Sequence, residues 1–312
     1  MPELALKSEE ISPTTRRVVC VLGMHRSGTS AIAKGLECWG IHMGDALISP
    51  GMDNPRGYWE DAHIVAINQK LMQRCDLAWN DVRILSAEVF LDGRHEDLTE
   101  QAFKLLEQRI AVWNNWGFKD PRTLRTLPFW LRVADLGGID IQFVLALRHP
   151  ISVVASLQTR NGMDAVRSQL MWLAHWVPFL NLLENQKIAI LHYDQVLEHP
   201  AQTMQRAGEH LGFAIHAEQL HTYKHHFLNG KLRHHQAGND SPENPLILPL
   251  VHKTMQVLEN CGVSPDAQFW QAWKLLQNEH QNLSSILDLI DHESERRRRR
   301  RTFWWKMTHV HR

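Results

Sequence analysis

Apolar runs that each end in a polar turn and lead into a helical repeat predict an α/β fold. The expected architecture is a three-layer sandwich, with a central parallel β-sheet flanked by helices. The clearest runs are Arg17–Leu22 (RVVCVL), Ile141–Leu147 (IQFVLAL) and Lys187–Tyr193 (KIAILHY). They are β-branched or apolar throughout and do not alternate, as suits strands buried on both faces. Composition agrees. The chain has 312 residues, room for one large α/β domain or two small ones, and its 44% hydrophobic content can fill a core.

Taken in order, Met1 to Thr15 reads as a loose polar tail, and Arg17–Leu22 as the first strand. Ala31 to Trp39 then places Ile32, Leu36 and Trp39 at helical spacing. Ile41 to Trp59 is rich in Gly, Pro, Asp and Asn, which is loop chemistry, and ends in Asn54-Pro55-Arg56-Gly57-Tyr58-Trp59-Glu60-Asp61. A helix follows with Ile64, Ile67, Leu71 and Met72 on one face. Thr99 to Trp113 is amphipathic, with Phe103, Leu106, Ile110 and Trp113 as its stripe and Thr99 as its N-cap.

Trp116–Lys119 reads as a short strand stopped by Asp120-Pro121-Arg122, whose Asp120 and Arg122 are expected to form a local ion pair. Pro150 opens a helix through Arg160 after the Ile141–Leu147 strand. Arg167 to Leu183 is another helix, Pro200 to Leu211 is a helix closed by Gly212, and Ala267 to Ile290 is helical. His221 to Pro245 is polar, His-rich and irregular. Its histidines, including His225, His226, His234 and His235, follow no compact metal-ligand spacing and read as a solvated loop.

The stretch that organises the chain is Gly23-Met24-His25-Arg26-Ser27-Gly28-Thr29-Ser30, between the first strand and the first helix. Amide N–H groups of such a turn, and of the helix start after it, have no intrahelical partner and make an anion site. Glycines let the backbone approach a phosphate closely. The spacing Gly23-x-x-x-x-Gly28 agrees with a nucleoside-triphosphate loop, but Thr29 stands where that loop has its lysine. The positive charge sits inside the turn, at Arg26. The loop therefore suits a phosphate-like group rather than a γ-phosphate bound with Mg²⁺.

Other features bound the function. A formal net charge of +0 argues against a general nucleic-acid binder. Cys20, Cys38, Cys75 and Cys261 form no C-x-x-C pair and read as reduced thiols of a cytoplasmic protein. The N-terminus has no apolar core of a signal peptide, no apolar run approaches the roughly 20 residues of a membrane span, and no internal repeat is evident. In parallel sheets, ligands gather at the carboxyl ends of the strands. Polar clusters stand at each such end: Gly23 to Ser30, Lys119-Asp120-Pro121-Arg122, Arg148-His149-Pro150 and Tyr193-Asp194. Together they would form one basic pocket.

These residues resemble the sulfotransferases that use 3′-phosphoadenosine 5′-phosphosulfate, especially the bacterial branch akin to tyrosylprotein sulfotransferases. The resemblance covers roughly Val18 to Phe213. It is carried by Met24-His25-Arg26-Ser27-Gly28-Thr29-Ser30, by Arg148 with Ser156, by Lys119-Asp120-Pro121, and by Tyr193-Asp194-Gln195-Val196 with His199-Pro200. It implies a P-loop-like fold and sulfuryl transfer to a hydroxyl acceptor such as a glycan, a lipid or a small molecule, without a metal. It places Arg26, Ser27, Gly28, Thr29, Ser30, Arg148, Ser156 and Tyr193 against the donor. The loop would hold the 5′-phosphosulfate. Arg148, with a planar fork suited to phosphate, would take the 3′-phosphate together with Ser156. Arg26 and Lys119 would supply fixed positive charge. By the same resemblance Lys119 contacts the leaving or bridging oxygen, and Glu60 is the base. The spacing from Arg26 to Glu60 is longer than in the tyrosylprotein enzymes. Asp61, His63 and Asp53 are the rival bases, and Glu60 also suits a helix N-terminal acid complementing the macrodipole.

The expected organisation is a polar tail over residues 1–15, one domain over 16–290 and a basic, aromatic tail over 291–312. That last tail holds Arg296 to Arg301 followed by Phe303, Trp304 and Trp305. It reads either as a solvated charge block or as a peripheral contact with an anionic membrane. A small-molecule kinase with a degenerate phosphate loop and a non-catalytic nucleotide-binding module are the other function classes.

Overall fold

A computed structural model describes residues 17–52, 54–228 and 247–293. The N-terminal tail, Asp53, His234, His235, Arg296 to Arg301, Phe303, Trp304 and Trp305 lie outside the described residues. The sheet is built from β1 (Arg17–Leu22), β2 (Asn115–Lys119), β3 (Ile141–Leu147) and β4 (Ile188–His192), in the order β2-β1-β3-β4 with every neighbour parallel. Cys20 pairs with Phe118 on one side and Phe143 on the other, so the four runs end close to one level.

Side chains alternate across the sheet and feed two cores. Val18, Cys20, Leu22, Phe143, Leu145 and Ile190 pack into the larger one. Val19, Val21, Val144, Ala146, Ala189 and Leu191 pack into the other with Ile32, Leu36, Trp39 and Phe213. This is the two-sided burial that non-alternating runs require. The larger layer contains α2 (Ala62–Arg74), α3 (Ala87–Leu91), α4 (Glu96–Val112), α5 (Leu127–Gly137), α6 (Pro150–Asn161) and α7 (Ala165–Trp176). It also receives α11 (Pro249–Glu259) and α12 (Ala267–Gln281). The smaller layer contains α1 (Thr29–Gly35), α8 (Tyr193–Glu198), α9 (Pro200–Leu211) and α10 (Ala217–Thr222).

Several expectations need correction. Thr99 does not cap α4, which begins at Glu96. Thr99 lies inside the helix, and its hydroxyl donates to the His95 carbonyl at 3.1 Å. The fully buried stripe of α4 is Leu98, Ala102, Leu105 and Leu106, while Phe103, Ile110 and Trp113 are only partly covered. The stretch from Arg167 to Leu183 is not one helix: α7 stops at Trp176 and a separate 3₁₀ turn spans Leu180–Leu183. Pro178 lies in the break, where it cannot supply a helical N–H. His221, His225 and His226 are exposed and contact one another by their rings, as a solvated cluster would. No helix among the described residues is long and apolar enough to cross a membrane.

Candidate active site

The parallel sheet brings the four polar clusters to one edge, because each follows the carboxyl end of its strand. The loop after β1 bends through two left-handed residues, Arg26 at φ 67° and Gly28 at φ 78°. Such a backbone is unfavourable for arginine and persists where its surroundings enforce it. At Gly28 the reason for glycine is space. A methyl group there would lie 2.0 Å from the Tyr193 ring, which covers the loop from the β4 side. Ser27 Oγ is buried with no hydrogen-bond partner among the described residues. A buried hydroxyl left in that state is costly unless a ligand or water satisfies it.

On the β3–β4 side the arginines gather. Arg26 Nε donates to Ser156 Oγ at 2.8 Å, and Arg148 Nη1 donates to the Arg26 carbonyl at 3.0 Å. Arg148 also lies over the Tyr193 ring, 4.9 Å from its centroid. Burial pushes the Arg148 guanidinium below its ordinary pKa, and Tyr193 and Asp194 oppose that. Burial likewise pushes the Tyr193 phenol up. Ser156, expected to pair with Arg148, instead accepts from Arg26, which in turn holds Arg148 through its carbonyl.

On the β2 side the charges are opposed. Lys119 is buried, and its Nζ donates to Glu60 Oε1 at 2.6 Å. It also reaches Ser30 Oγ at 3.4 Å. Burial lowers the Lys119 pKa, and the Glu60 charge is the main influence raising it. Arg122 Nη1 stands 3.9 Å from the other Glu60 oxygen and pairs with Asp120 at 2.8 Å, the local ion pair expected for this turn. Asn68 Nδ2 donates to Asp120 at 2.9 Å and fixes the turn from α2.

The rival bases are placed differently. Asp61 caps α2 by accepting from His63 N at 2.8 Å, and it pairs with Arg109 at 2.7 Å. His63 is exposed. Asp61 therefore has structural work, and neither it nor His63 has a described contact with Lys119 or the loop.

The loop Asn54–Glu60 contributes residues that sequence reading missed. Asn54 Nδ2 donates to Ser30 Oγ at 3.2 Å, and Ser30 Oγ donates to the Tyr58 carbonyl at 3.1 Å. Arg56 lies against Phe227, 5.5 Å from its centroid, and its Nη1 is buried without a hydrogen-bond partner among the described residues. Its charge weakly lowers the Tyr193 pKa against the larger effect of burial. The available signal was one polar loop ending in a carboxylate. Trp59, between these residues and Glu60, has a left-handed φ of 57°.

Comparison with known proteins decides the family. The profile of the sulfotransferase family matches residues 19–217, more than half of the chain. The chain belongs to the sulfotransferase family. No curated protein matches it. Among solved structures, this sulfotransferase is similar to the sulfotransferase domain of the Synechococcus PCC 7002 olefin synthase. That likeness has 16% identity, covers 84% of this chain and 94% of that one, and has a TM-score of 0.40. It is also similar to a sulfotransferase from Mycobacterium avium, at 15% identity, with 68% of each chain covered and a TM-score of 0.38. A retinol dehydratase complexed with androsterone and the inactive cofactor PAP matches at 12% identity, over 86% of this chain and 80% of that one, with a TM-score of 0.32. At these identities and scores none of them says what this sulfotransferase acts on. The family as a whole draws its sulfuryl group from 3′-phosphoadenosine 5′-phosphosulfate.

Proposed function

We propose that this sulfotransferase moves a sulfuryl group in line from 3′-phosphoadenosine 5′-phosphosulfate to a hydroxyl acceptor, with Glu60 as base and Lys119 at the leaving oxygen. The observation that carries the reading is the buried 2.6 Å contact between Lys119 and Glu60, set beside Ser30 of the anion loop. It joins a cation and a carboxylate, the two groups the transfer needs, at the carboxyl edge of the sheet. Ser27 Oγ and the loop N–H groups fit the phosphosulfate, while Arg26, Arg148 and Ser156 fit the nucleotide's phosphates.

The steps follow from those groups. The acceptor oxygen bonds to sulfur as the bond from sulfur to the phosphate oxygen breaks. The acceptor's proton passes to the Glu60 carboxylate. The negative charge collects on the leaving adenosine 3′,5′-bisphosphate, beside Lys119. Fixed positive charge is the main catalytic demand in such transfers. Before the donor arrives, Lys119 and Glu60 neutralise each other. An incoming phosphosulfate competes for the ammonium and frees the carboxylate for the acceptor. Ordered binding, donor first, follows from that exchange.

Thermal denaturation with adenosine 3′,5′-bisphosphate and no Mg²⁺ tests the donor site. At about 100 times its Kd the ligand should add roughly 2.7 kcal/mol of stability. A shift with ATP·Mg²⁺ and none with the bisphosphate would sink this reading in favour of a kinase.

A further inference from the structure

Beside the pocket lies a cavity of about 490 Å³ that the chemistry above leaves unassigned. It opens between the end of α2, the segment after it, and the turn carrying Arg122. We propose that this cavity is the acceptor site and that it takes a neutral, polyhydroxylated acceptor, a sugar hydroxyl rather than a phenol, a sterol or an anionic group. The inference rests on the sulfuryl-transfer reading and adds the substrate class to it.

Two contacts join the cavity to the reacting groups. Arg122 lines it, and its Nη1 lies 3.9 Å from Glu60 Oε2. Trp79 also lines it and meets His25 edge-on, with ring centroids 5.3 Å apart. His25 directly precedes Arg26 in the anion loop. Arg122 stands between this cavity and the base, and Trp79 between it and the loop, so an acceptor hydroxyl resting here reaches the reacting groups past those two side chains.

The lining selects the acceptor's chemistry. Most small-molecule sites are chiefly apolar with a few polar groups; here amides and charged groups share the wall about equally with Met72, Leu77, Ala78 and Trp79. Gln69 and Gln73 are one turn apart on α2, both exposed, and Asn80 joins them. Each amide offers donors and an acceptor, the complement that a hydroxyl-rich ligand asks for. The half-buried Trp79, flanked by Met72, Leu77 and Ala78, offers an apolar surface for the C–H face of a sugar ring, while the amides of the same wall would stay unpaired against a wholly apolar ligand. Most charges of the wall are paired, and the exposed Asp76, 3.8 Å from an Arg83 that Asp81 already engages, leaves it with one more carboxylate than arginine. Asp81 pairs with Arg83, Asp291 pairs with Arg167, and Arg122 pairs with Asp120. An anionic acceptor would find the arginines already engaged and an excess of carboxylate facing it.

The test uses the full chain loaded with adenosine 3′,5′-bisphosphate. Saturation-transfer NMR records binding of methyl hexosides and short oligosaccharides, against nitrophenol, a sterol and a tyrosyl peptide. Labelled donor then reports turnover of the same set. At least one glycoside should bind and be sulfated. In Gln73→Ala/Asn80→Ala its KM should rise about tenfold, the scale of two lost neutral hydrogen bonds, while the bisphosphate Kd stays within about twofold. Bisphosphate binding without binding of any glycoside overturns the acceptor assignment and leaves the transfer reading standing. An unchanged glycoside KM in the double variant overturns the placement in this cavity. Failure to bind the bisphosphate overturns the transfer reading itself.

Discussion

The two flanks of the strand-end pocket use charge in opposite ways. On the β2 flank, opposite charges meet: Lys119 with Glu60, and Arg122 with Asp120. On the β3–β4 flank, like charges are brought together: Arg26 beside Ser156, Arg148 on the Arg26 carbonyl and the Tyr193 face, and Arg56 acting on the same tyrosine. A gathering of cations is poised to bind an anion. A closed ion pair must be opened before either member can act, and opening it can be coupled to substrate arrival. In the proposed transfer, affinity belongs to the second flank and turnover to the first.

The largest expected effects therefore come from the β2 flank and appear in kcat. Glu60→Gln should lower turnover by about 10²–10⁴-fold, the usual span for a lost general base. Bisphosphate affinity should hold or tighten, since the carboxylate no longer competes for Lys119. A more acidic acceptor, such as a glycoside whose reacting hydroxyl is flanked by fluorine, should partly restore this variant. Lys119→Ala should cost about 10²–10³-fold in kcat, with no rescue by acidic acceptors, because its defect lies on the leaving side. It also strands a buried carboxylate, a loss of about 3–5 kcal/mol in stability. Lys119→Ala/Glu60→Gln should recover much of that stability in denaturant titrations and none of the turnover. Equal rescue of both single variants by the acidic acceptor would remove Glu60 as base.

The β3–β4 flank should respond in affinity. Arg148→Ala is expected to lose about 1.5–3 kcal/mol of donor binding, the range for a hydrogen bond to a charged group. It should also lose preference for the 3′-phosphorylated donor over adenosine 5′-phosphosulfate, measured by isothermal titration or by competition. Full preference retained in the variant would assign that phosphate elsewhere. Arg56→Ala should act in the same direction and less strongly, by about 1 kcal/mol, since Arg56 lies against Phe227 and has no described contact with Arg26, Arg148 or Ser156. An effect of Arg56→Ala on kcat alone would move it to the other flank.

The two flanks were not equally legible in the sequence. The sheet could be read because its strands are buried on both faces, which leaves short apolar runs with few alternatives. The polar ends could be read because each interrupts such a run. The helix α5, Leu127–Gly137, was missed because it is apolar on most sides: Leu127, Pro128, Phe129, Trp130, Val133 and Ala134 are all buried, which blurs the helical period. Within the site, Lys119 and Glu60 were both singled out, yet their contact spans 59 positions and no local pattern encodes it. The turn of Arg26 toward Ser156 depends on a left-handed backbone at Arg26, a conformation that propensity does not anticipate in a non-glycine residue. Arg56 could be seen only as part of a polar loop, because its relation to Tyr193 arises when that loop folds over the sheet edge.

The smallest expected effect is a shift in pH dependence, and it sharpens the comparison most directly. In the proposed transfer Lys119 must carry its proton to meet the phosphosulfate. Burial lowers its pKa from the ordinary 10.5, and Glu60 holds it up against that burial. The alkaline limb of kcat/KM for the donor, which reports the free enzyme, should therefore fall below 10.5. Tyr193 does not set this limb, because burial moves its phenol upward instead. In Glu60→Gln, followed with the acidic acceptor, the charge supporting the ammonium is gone, so the limb should move further down. In Arg148→Ala the limb should stay in place, although affinity is lost. A limb that moved with Arg148 and ignored Glu60 would place the titrating group among the gathered arginines. The division of the pocket into a binding flank and a reacting flank would then be wrong.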